Sequence, residues 1–260
     1  VELNSSQITA NTASEQGGGL FNQAGTSNLT MVGSSITGNS APMDSDCVGC
    51  PAPPPTPQAN TITILDGQAI NGVARDVGIG TSVTTGVDGL GLVSYLDPAD
   101  NGADALKVAH CSNVACTEAT ITSLDVDNNA RMYSSITLGA DGLGLIGYFA
   151  RTSNDDGLKI AHCSNVTCSD ATLTTLDSGN TGHYVSATTG ADGLGLFSYQ
   201  RAAGGLKVAH CSNAGCTEST ISTVDSDAGA YSSVTIGADG LGLISYPRGY
   251  VTDVIHHDLM

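Results

Sequence analysis

The sequence predicts an all-β protein, a β-propeller-like array of about four four-stranded antiparallel blades that follows a short β-helix-like segment. Three observations predict this architecture. A ten-residue motif occurs four times, a longer element follows three of its copies, and the 260-residue chain has 33 glycines but no tryptophan. Repeats of about forty to fifty residues with four strands each are typical of propellers, because such a unit buries its apolar surface only against its neighbours.

Both repeated elements are nearly identical from copy to copy. The motif GVDGLGLVSY surrounds Asp88 and returns at intervals of 53, 51 and 47 residues, around Asp141, Asp192 and Asp239. The element ALKVAHCSNVACTEATITSLD begins at Ala105, and close copies begin at residues 157 and 205. Residues 60–250 are therefore predicted to form the β-propeller-like repeats.

Each unit contains four β-prone runs separated by turns. In the second unit they lie at residues 134–138, 143–148, 158–162 and 171–176. The first two runs are joined by Gly139-Ala140-Asp141-Gly142, a tight hairpin signal because Gly and Asp tolerate positive φ. Consecutive hairpins give one four-stranded antiparallel meander for each unit.

These motifs resemble those of a bacterial family of extracellular repeat proteins whose propeller-like blades carry DGLPLISY and LKVAHC sequences. The resemblance covers roughly residues 60–246, with Gly in this chain where the family often has Pro. It implies the fold and an extracellular compartment, and it implies no activity.

The two ends of the array are out of phase with the repeat. Residues 60–66, NTITILD, match the fourth strand of a unit, whereas residues 251–260 form a tail that matches nothing upstream. Two arrangements fit this phase. The first strand completes the last blade within one chain, or a second chain completes the open edges by strand addition.

The N-terminal part differs from the repeats. Residues 1–46 contain the echo SSQIT and GSSIT with GGGLFN between, and this segment resembles rungs of the parallel β-helices of bacterial surface proteins. Residues 47–59 are rich in Cys and Pro and are predicted to be a stiff linker between two domains.

The eight cysteines predict disulfides. Six of them form three C-x4-C pairs, each inside one hairpin, and the seventh and eighth form a C-x2-C pair: Cys111 and Cys116, Cys163 and Cys168, Cys211 and Cys216, Cys47 and Cys50. Metal binding by the adjacent histidines His110, His162 and His210 is the alternative for the first three pairs, but a fourth ligand is lacking. For the last pair a redox or metal role is the alternative.

Charge and cysteine content limit the partners and the compartment. The 25 acidic and 8 basic residues give a formal net charge of −17, which repels nucleic acid and anionic membranes. Apolar runs are too short for membrane insertion. Disulfides form in oxidising compartments, so the protein is predicted to be extracellular or at the cell surface. Its expected partner is a protein or glycan ligand, or another copy of itself.

Several recurring polar residues have a structural and a functional interpretation. The motif aspartates are expected to serve the hairpin turn. Two sets of tyrosines recur in register, and core packing is expected for both, with a ring of aromatic platforms for sugar as the alternative: Tyr95, Tyr148, Tyr199 and Tyr246, then Tyr133, Tyr184 and Tyr231. The acidic loops are weak calcium candidates through Asp125, Asp127, Asp225 and Asp227, and solvated turns are the alternative. No other cofactor is predicted.

The predicted function follows from a repeated scaffold without any asymmetric reactive cluster. No nucleophile elbow, phosphate loop or zinc-protease pattern occurs, and the arginines fall at unmatched places in the repeats. The sequence therefore predicts no enzyme and no catalytic residue. It predicts a non-catalytic secreted or cell-surface module for protein or carbohydrate binding or adhesion. The alternative is a structural subunit of an extracellular filament assembled by strand complementation between chains.

Overall fold

A computed structural model describes residues 2–4, 7–9, 20–21, 30–32, 35–37, 47–48, 62–67, 77–100, 103–126, 130–151, 156–227, 229–248 and 251–257. The chain divides into two compact units, Val1–Ile62 and Thr63–Met260. In the described ranges no helix has the length and apolar character that crossing a membrane requires.

The first unit contains short parallel strand pairs. Its six strands are β1 (Glu2–Asn4), β2 (Gln7–Thr9), β3 (Leu20–Phe21), β4 (Thr30–Val32), β5 (Ser35–Thr37) and β6 (Cys47–Val48). The parallel pairs are β1 with β4, β2 with β5 and β3 with β6. Glu2 lies beside Thr30 and Leu20 beside Cys47, so one rung spans 28 or 27 residues. This is the pairing that neighbouring β-helix rungs make.

The second unit contains the repeats, and each repeat forms one antiparallel sheet. Blade 1 has β7 (Ile79–Thr85), β8 (Gly91–Asp100), β9 (Ala103–Cys111) and β10 (Ala119–Asp125). Blade 2 has β11 (Ala130–Leu138), β12 (Gly144–Ala150), β13 (Gly157–Cys163) and β14 (Ala171–Ser178). Blade 3 has β15 (Thr181–Thr189), β16 (Gly195–Arg201), β17 (Leu206–Cys211) and β18 (Ser219–Asp225). The prediction of an all-β, propeller-like array of four-stranded antiparallel blades is confirmed.

Blade 4 is completed differently. It has β19 (Ser233–Ile236), β20 (Gly242–Arg248) and β21 (Val251–His257). The C-terminal tail does not repeat the sequence of the third strand, yet β21 pairs with β20 in that place. Tyr246 lies opposite Asp253, whereas the corresponding Tyr199 lies opposite Lys207.

The hydrophobic core lies between the blades. One cluster joins blades 1 and 2 around Leu92 and Tyr148, a second joins blades 2 and 3 around Leu145 and Phe197, and a third joins blades 3 and 4 around Leu206 and Ile244. Every residue of β12 is buried, since both faces of an inner blade pack against a neighbour.

The motif glycines make room for these contacts. A Cβ on Gly144 would lie 2.8 Å from Cys163 Sγ, which is too close for any real contact. Gly142, at the turn, has a φ of 77°, and a Cβ there would lie 2.6 Å from Cγ1 of Val87 in the preceding blade. The repeated DGLG sequence thus fits a tight turn stacked on the previous turn.

Candidate functional site

One position in the repeat has an unusual backbone conformation in all four blades. It lies eight residues before the motif aspartate, and its residues have φ values of 60°, 65°, 52° and 53°: Gly80, Tyr133, Tyr184 and Tyr231. Positive φ is uncommon for residues other than glycine and rare for bulky ones. Register shifts interrupt the first strand near this position in blades 1, 2 and 3, as a β-bulge does.

The three tyrosine rings meet in one cluster, here called the tyrosine cluster. The ring of Tyr184 lies in the middle, 4.3 Å from Tyr133 and 4.1 Å from Tyr231 between centroids. Tyr133 and Tyr231 are 6.3 Å apart and nearly perpendicular. Tyr231 is 67% exposed, whereas the other two are half-buried. The first strands of blades 2, 3 and 4 therefore present a partly exposed aromatic surface.

The backbone at these tyrosines is strained and locally supported. Each such conformation costs on the order of 1–3 kcal/mol in a non-glycine residue. Beside Tyr184, His183 stacks on Phe149 at 4.2 Å, and the His183 Nε2 lies 3.0 Å from Asn180 Oδ1. In blade 1 the same position is glycine, and a Cβ on Gly80 would lie 2.7 Å from the backbone N of Tyr133. A strained residue repeated in three blades marks a candidate functional site.

The tyrosine hydroxyls interact with one another. A hydrogen bond with the Tyr184 hydroxyl raises the pKa of Tyr231 above its usual value, although a hydrogen bond with Tyr133 acts in the opposite direction. The rings thus offer apolar faces together with hydroxyl groups that donate and accept hydrogen bonds. The expectation of core packing holds in part for Tyr133, which packs against the core between blades 2 and 3, and is wrong for Tyr231, whose side chain is exposed.

The other set of tyrosines is buried, as expected. Exposure is 5% for Tyr95, 0% for Tyr148 and Tyr199, and 2% for Tyr246. Each hydroxyl donates to the aspartate that ends the fourth-strand segment preceding its blade. The distances are 2.8 Å to Asp66, 2.6 Å to Asp125, 2.8 Å to Asp177 and 3.1 Å to Asp225, respectively. These bonds fasten consecutive blades to one another.

A cation accompanies each of these tyrosine-bound aspartates. In three cases it is the lysine of the LKVAH motif: Lys107 with Asp66, Lys159 with Asp125 and Lys207 with Asp177. In blade 4 the register places Asp253 where the lysine would be, and Arg248 Nε lies 3.3 Å from Asp225 Oδ2 instead. The aspartate therefore keeps a cation even where the repeat sequence ends.

The predicted calcium ligands lie in different surroundings. Asp125 is 2% exposed and accepts the Tyr148 hydroxyl, and Asp225 accepts the Tyr246 hydroxyl and the backbone N–H of Asp227. Asp127 lies outside the described residues. Within the described ranges, no group of three His, Cys, Asp or Glu side chains could hold a metal ion. Calcium binding stays a prediction.

The cysteines and histidines of the LKVAHC element form separate local structures. Disulfides join Cys111 to Cys116, Cys163 to Cys168 and Cys211 to Cys216. Cys50, and with it the predicted Cys47–Cys50 bond, lies outside the described residues. His110, His162 and His210 each pair through Nε2 with Asp88, Asp141 and Asp192, at 2.8, 2.8 and 3.0 Å. All four motif aspartates accept the backbone N–H two residues on, which supports the turn, and the first three also hold the histidine.

The pKa shifts of the carboxylates and buried tyrosines indicate that the fold loses stability at both low and high pH. The N–H of Leu90 lowers the pKa of Asp88 below 3.8, and burial next to Asp125 raises the pKa of Tyr148 well above 10.0. A carboxyl group whose pKa is lowered in the folded state stabilises the fold above about pH 4, and this stabilisation is lost as the pH falls. A tyrosine whose pKa is raised stabilises the fold below about pH 10, and this stabilisation is lost as the pH rises. We expect the melting temperature to fall on either side of this range. Circular dichroism melts of the protein and of Tyr148→Phe test it, since Tyr148→Phe must remove part of the alkaline loss.

Comparisons with known proteins identify the fold. No protein-family model and no curated protein matches the chain. A solved protein of unknown function from Dyadobacter fermentans is similar over 66% of this chain and 50% of its own, with 16% identity and a TM-score of 0.52. A GH43 β-1,3-galactosidase matches over 74% and 46%, with 11% identity and a TM-score of 0.50. The α-L-arabinofuranosidase Arb93A from Fusarium graminearum matches over 69% and 61%, with 13% identity and a TM-score of 0.50.

The chain spans about half the length of the first of these structures. At such identities the structural similarity establishes the fold.

This similarity also corrects the predicted function. The sequence analysis expected no enzyme, and either a non-catalytic binding and adhesion module or a filament subunit. That expectation is wrong, because glycoside hydrolases are built on this fold and the repeated scaffold is no argument against catalysis.

Proposed function

We propose that the chain is a carbohydrate-active protein of the glycoside-hydrolase kind, acting outside the cell on a glycan that lies across the tyrosine cluster. The observation that carries the proposal is the convergence of three tyrosines, each at positive φ, into one partly exposed aromatic surface. Sugar rings pack their C–H faces on aromatic faces and hydrogen-bond to nearby hydroxyls, and tyrosine supplies both.

The extracellular location is supported by the three disulfides of the blades. Such bonds persist in oxidising compartments, where polymeric glycans are also accessible to a secreted protein. The fold adds support of another kind, since matched solved structures include a galactosidase and an arabinofuranosidase.

Cleavage of a glycosidic bond commonly needs two carboxyl groups, one acting as acid and the other as base or nucleophile. Asp227 is an exposed carboxylate four residues before Tyr231, and its backbone N–H is held by Asp225 Oδ1 at 2.9 Å. Asp127 has the same place in the repeat, two residues after the tyrosine-bound aspartate. Asp227 is therefore the first carboxylate to substitute.

The test is a screen of polysaccharides, such as arabinan, galactan and pectin, for binding and for release of reducing ends. We expect turnover of at least one glycan and a loss of about 100-fold or more in kcat for Asp227→Asn. The control is Glu218→Gln, which removes an exposed carboxylate from the turn between β17 and β18, just after the Cys211–Cys216 disulfide. A protein that neither binds nor cleaves any glycan would contradict the proposal.

A further inference from the structure

A second site lies in blade 3. A pocket of about 270 Å³ opens beside the hairpin that joins β16 to β17. Its lining residues carry hydroxyl groups and two cations: Ser178, Thr181, Arg201, Lys207, Thr223 and Ser226. None of the described residues that line it is acidic, although the whole chain has a net charge of −17. The lining of the pocket is therefore basic, although the protein as a whole is acidic.

Backbone hydrogen bonds fix the shape of this pocket. The hairpin is closed by the N–H of Arg201, which donates to Gly205 O at 3.0 Å, and by the N–H of Gly204, which donates to Arg201 O at 2.9 Å. Ala202 N–H then donates to Asn180 O at 3.0 Å, which ties the hairpin to the loop between β14 and β15. Gly204 and Gly205 have φ values of 91° and 113°, which side-chain-bearing residues rarely adopt. The pocket is therefore preformed by the backbone.

Arg201 is a surplus cation in this arrangement. It stands two residues after the buried tyrosine of its blade, the place that Arg248 takes in blade 4. Arg248 neutralises Asp225, but the equivalent Asp177 already has Lys207 as its partner. Arg201 is exposed, and in the described part of the chain no carboxylate forms an ion pair with it. Its guanidinium group is free to bind an anion from solution.

We infer that this pocket binds an oxyanion carried by the glycan, the carboxylate of a uronic acid or a sulfate ester. The inference rests on the proposed function and narrows it to acidic glycans. A guanidinium group pairs with such oxyanions through two parallel hydrogen bonds, and the exposed hydroxyls of Ser178, Thr223 and Ser226 can complete their coordination. The Thr181 hydroxyl is buried and already donates to the backbone carbonyl oxygen of Asp177. Thr181 of the pocket and Tyr184 of the cluster lie three residues apart on β15, at most about 10 Å along a strand. One glycan chain can reach both.

The experiment is an NMR titration of the protein with D-glucuronate, D-glucose 6-sulfate and D-glucose, read at the amide signals of Gly179, Gly204 and Gly205. We expect at least one anionic sugar to shift these signals, whereas D-glucose does not. Arg201→Gln is expected to weaken that binding at least tenfold. Arg151→Gln, which removes another exposed positive charge, from blade 2, is the control and must bind as the unmodified protein does.

Each outcome has one meaning. Shifts with glucuronate alone indicate a uronate, shifts with the sulfate ester alone indicate a sulfated glycan, and shifts with both indicate a general oxyanion site. Binding that is unchanged in Arg201→Gln, or no shift with either anion, overturns the inference. The variant Tyr231→Gly separates this result from the proposed function. It must still bind the monosaccharide anions in the pocket, whereas it must lose binding of the glycan at the tyrosine cluster.

Discussion

Tyr231→Gly is expected to abolish glycan binding and, at the same time, to raise the melting temperature. Tyr231 has a φ of 53°, and a glycine adopts this conformation without steric cost. The side chain is 67% exposed, so little buried surface is lost with it. Relief of the strain stabilises the fold by about 1 kcal/mol, or roughly 2–4 °C for a unit of this size. Calorimetry of unfolding and titration calorimetry with the glycan measure the two effects.

The matched control is the same position in blade 1. Gly80→Ala places a Cβ at a φ of 60° and 2.7 Å from the backbone N of Tyr133, so it must destabilise the protein by about 1–3 kcal/mol. Opposite signs at two equivalent positions would show that the tyrosines are kept at a cost to stability. If Tyr231→Gly lowers the melting temperature and leaves glycan affinity intact, the tyrosine cluster is a structural feature and the proposed site is elsewhere.

Asp125→Ala is expected to destabilise the array strongly. Asp125 accepts the hydroxyl of Tyr148 at 2.6 Å, and Lys159 Nζ lies 3.8 Å away. The substitution leaves a fully buried hydroxyl and a largely buried ammonium group without their acceptor. Removing one member of such a pair costs about 3–5 kcal/mol. Chemical denaturation, monitored by circular dichroism, gives the change in the free energy of unfolding.

Blade 4 supplies the control for this prediction. Asp225→Ala breaks the same contact with Tyr246, but Arg248 is 56% exposed and keeps its hydration when the aspartate is lost. We expect a cost of about 1–2 kcal/mol, well below that of Asp125→Ala. Equal effects at the two positions would show that burial of the cation does not set the energy of the contact.

The blades were predictable from sequence because local and repeated signals agree. Asp141-Gly142 specifies a tight turn, and the turn indeed needs a φ of 77° at Gly142. The role of Asp125 was not predictable. Its position in an acidic loop points to a solvent-facing calcium ligand, but the hydroxyl that it accepts comes from the following blade, 23 residues away in the chain. No sequence pattern reveals which neighbour reaches a side chain across a blade interface.

The tyrosine cluster was only half predictable. The recurrence of Tyr133, Tyr184 and Tyr231 in register is visible in the sequence, but the alternation of buried and exposed positions fails at a bulge. Positive φ at a tyrosine has no sequence signature. The glycine at the same position of blade 1, Gly80, is the one signal that could have indicated it. Arg201 and Arg248 occupy equivalent positions, but this is visible in the sequence only when each is counted from the buried tyrosine of its blade.

The bonds between buried tyrosines and aspartates have a consequence for how the array unfolds. Each accepting aspartate belongs to the segment before the blade whose tyrosine donates to it. Each blade is therefore stabilised by its contact with the segment that precedes it. A blade excised alone would lack the preceding aspartate that accepts its tyrosine hydroxyl, or the following tyrosine that donates to its own aspartate. Asp66 gives even the first blade such a predecessor, and residues 62–67 are therefore part of the minimal folding unit.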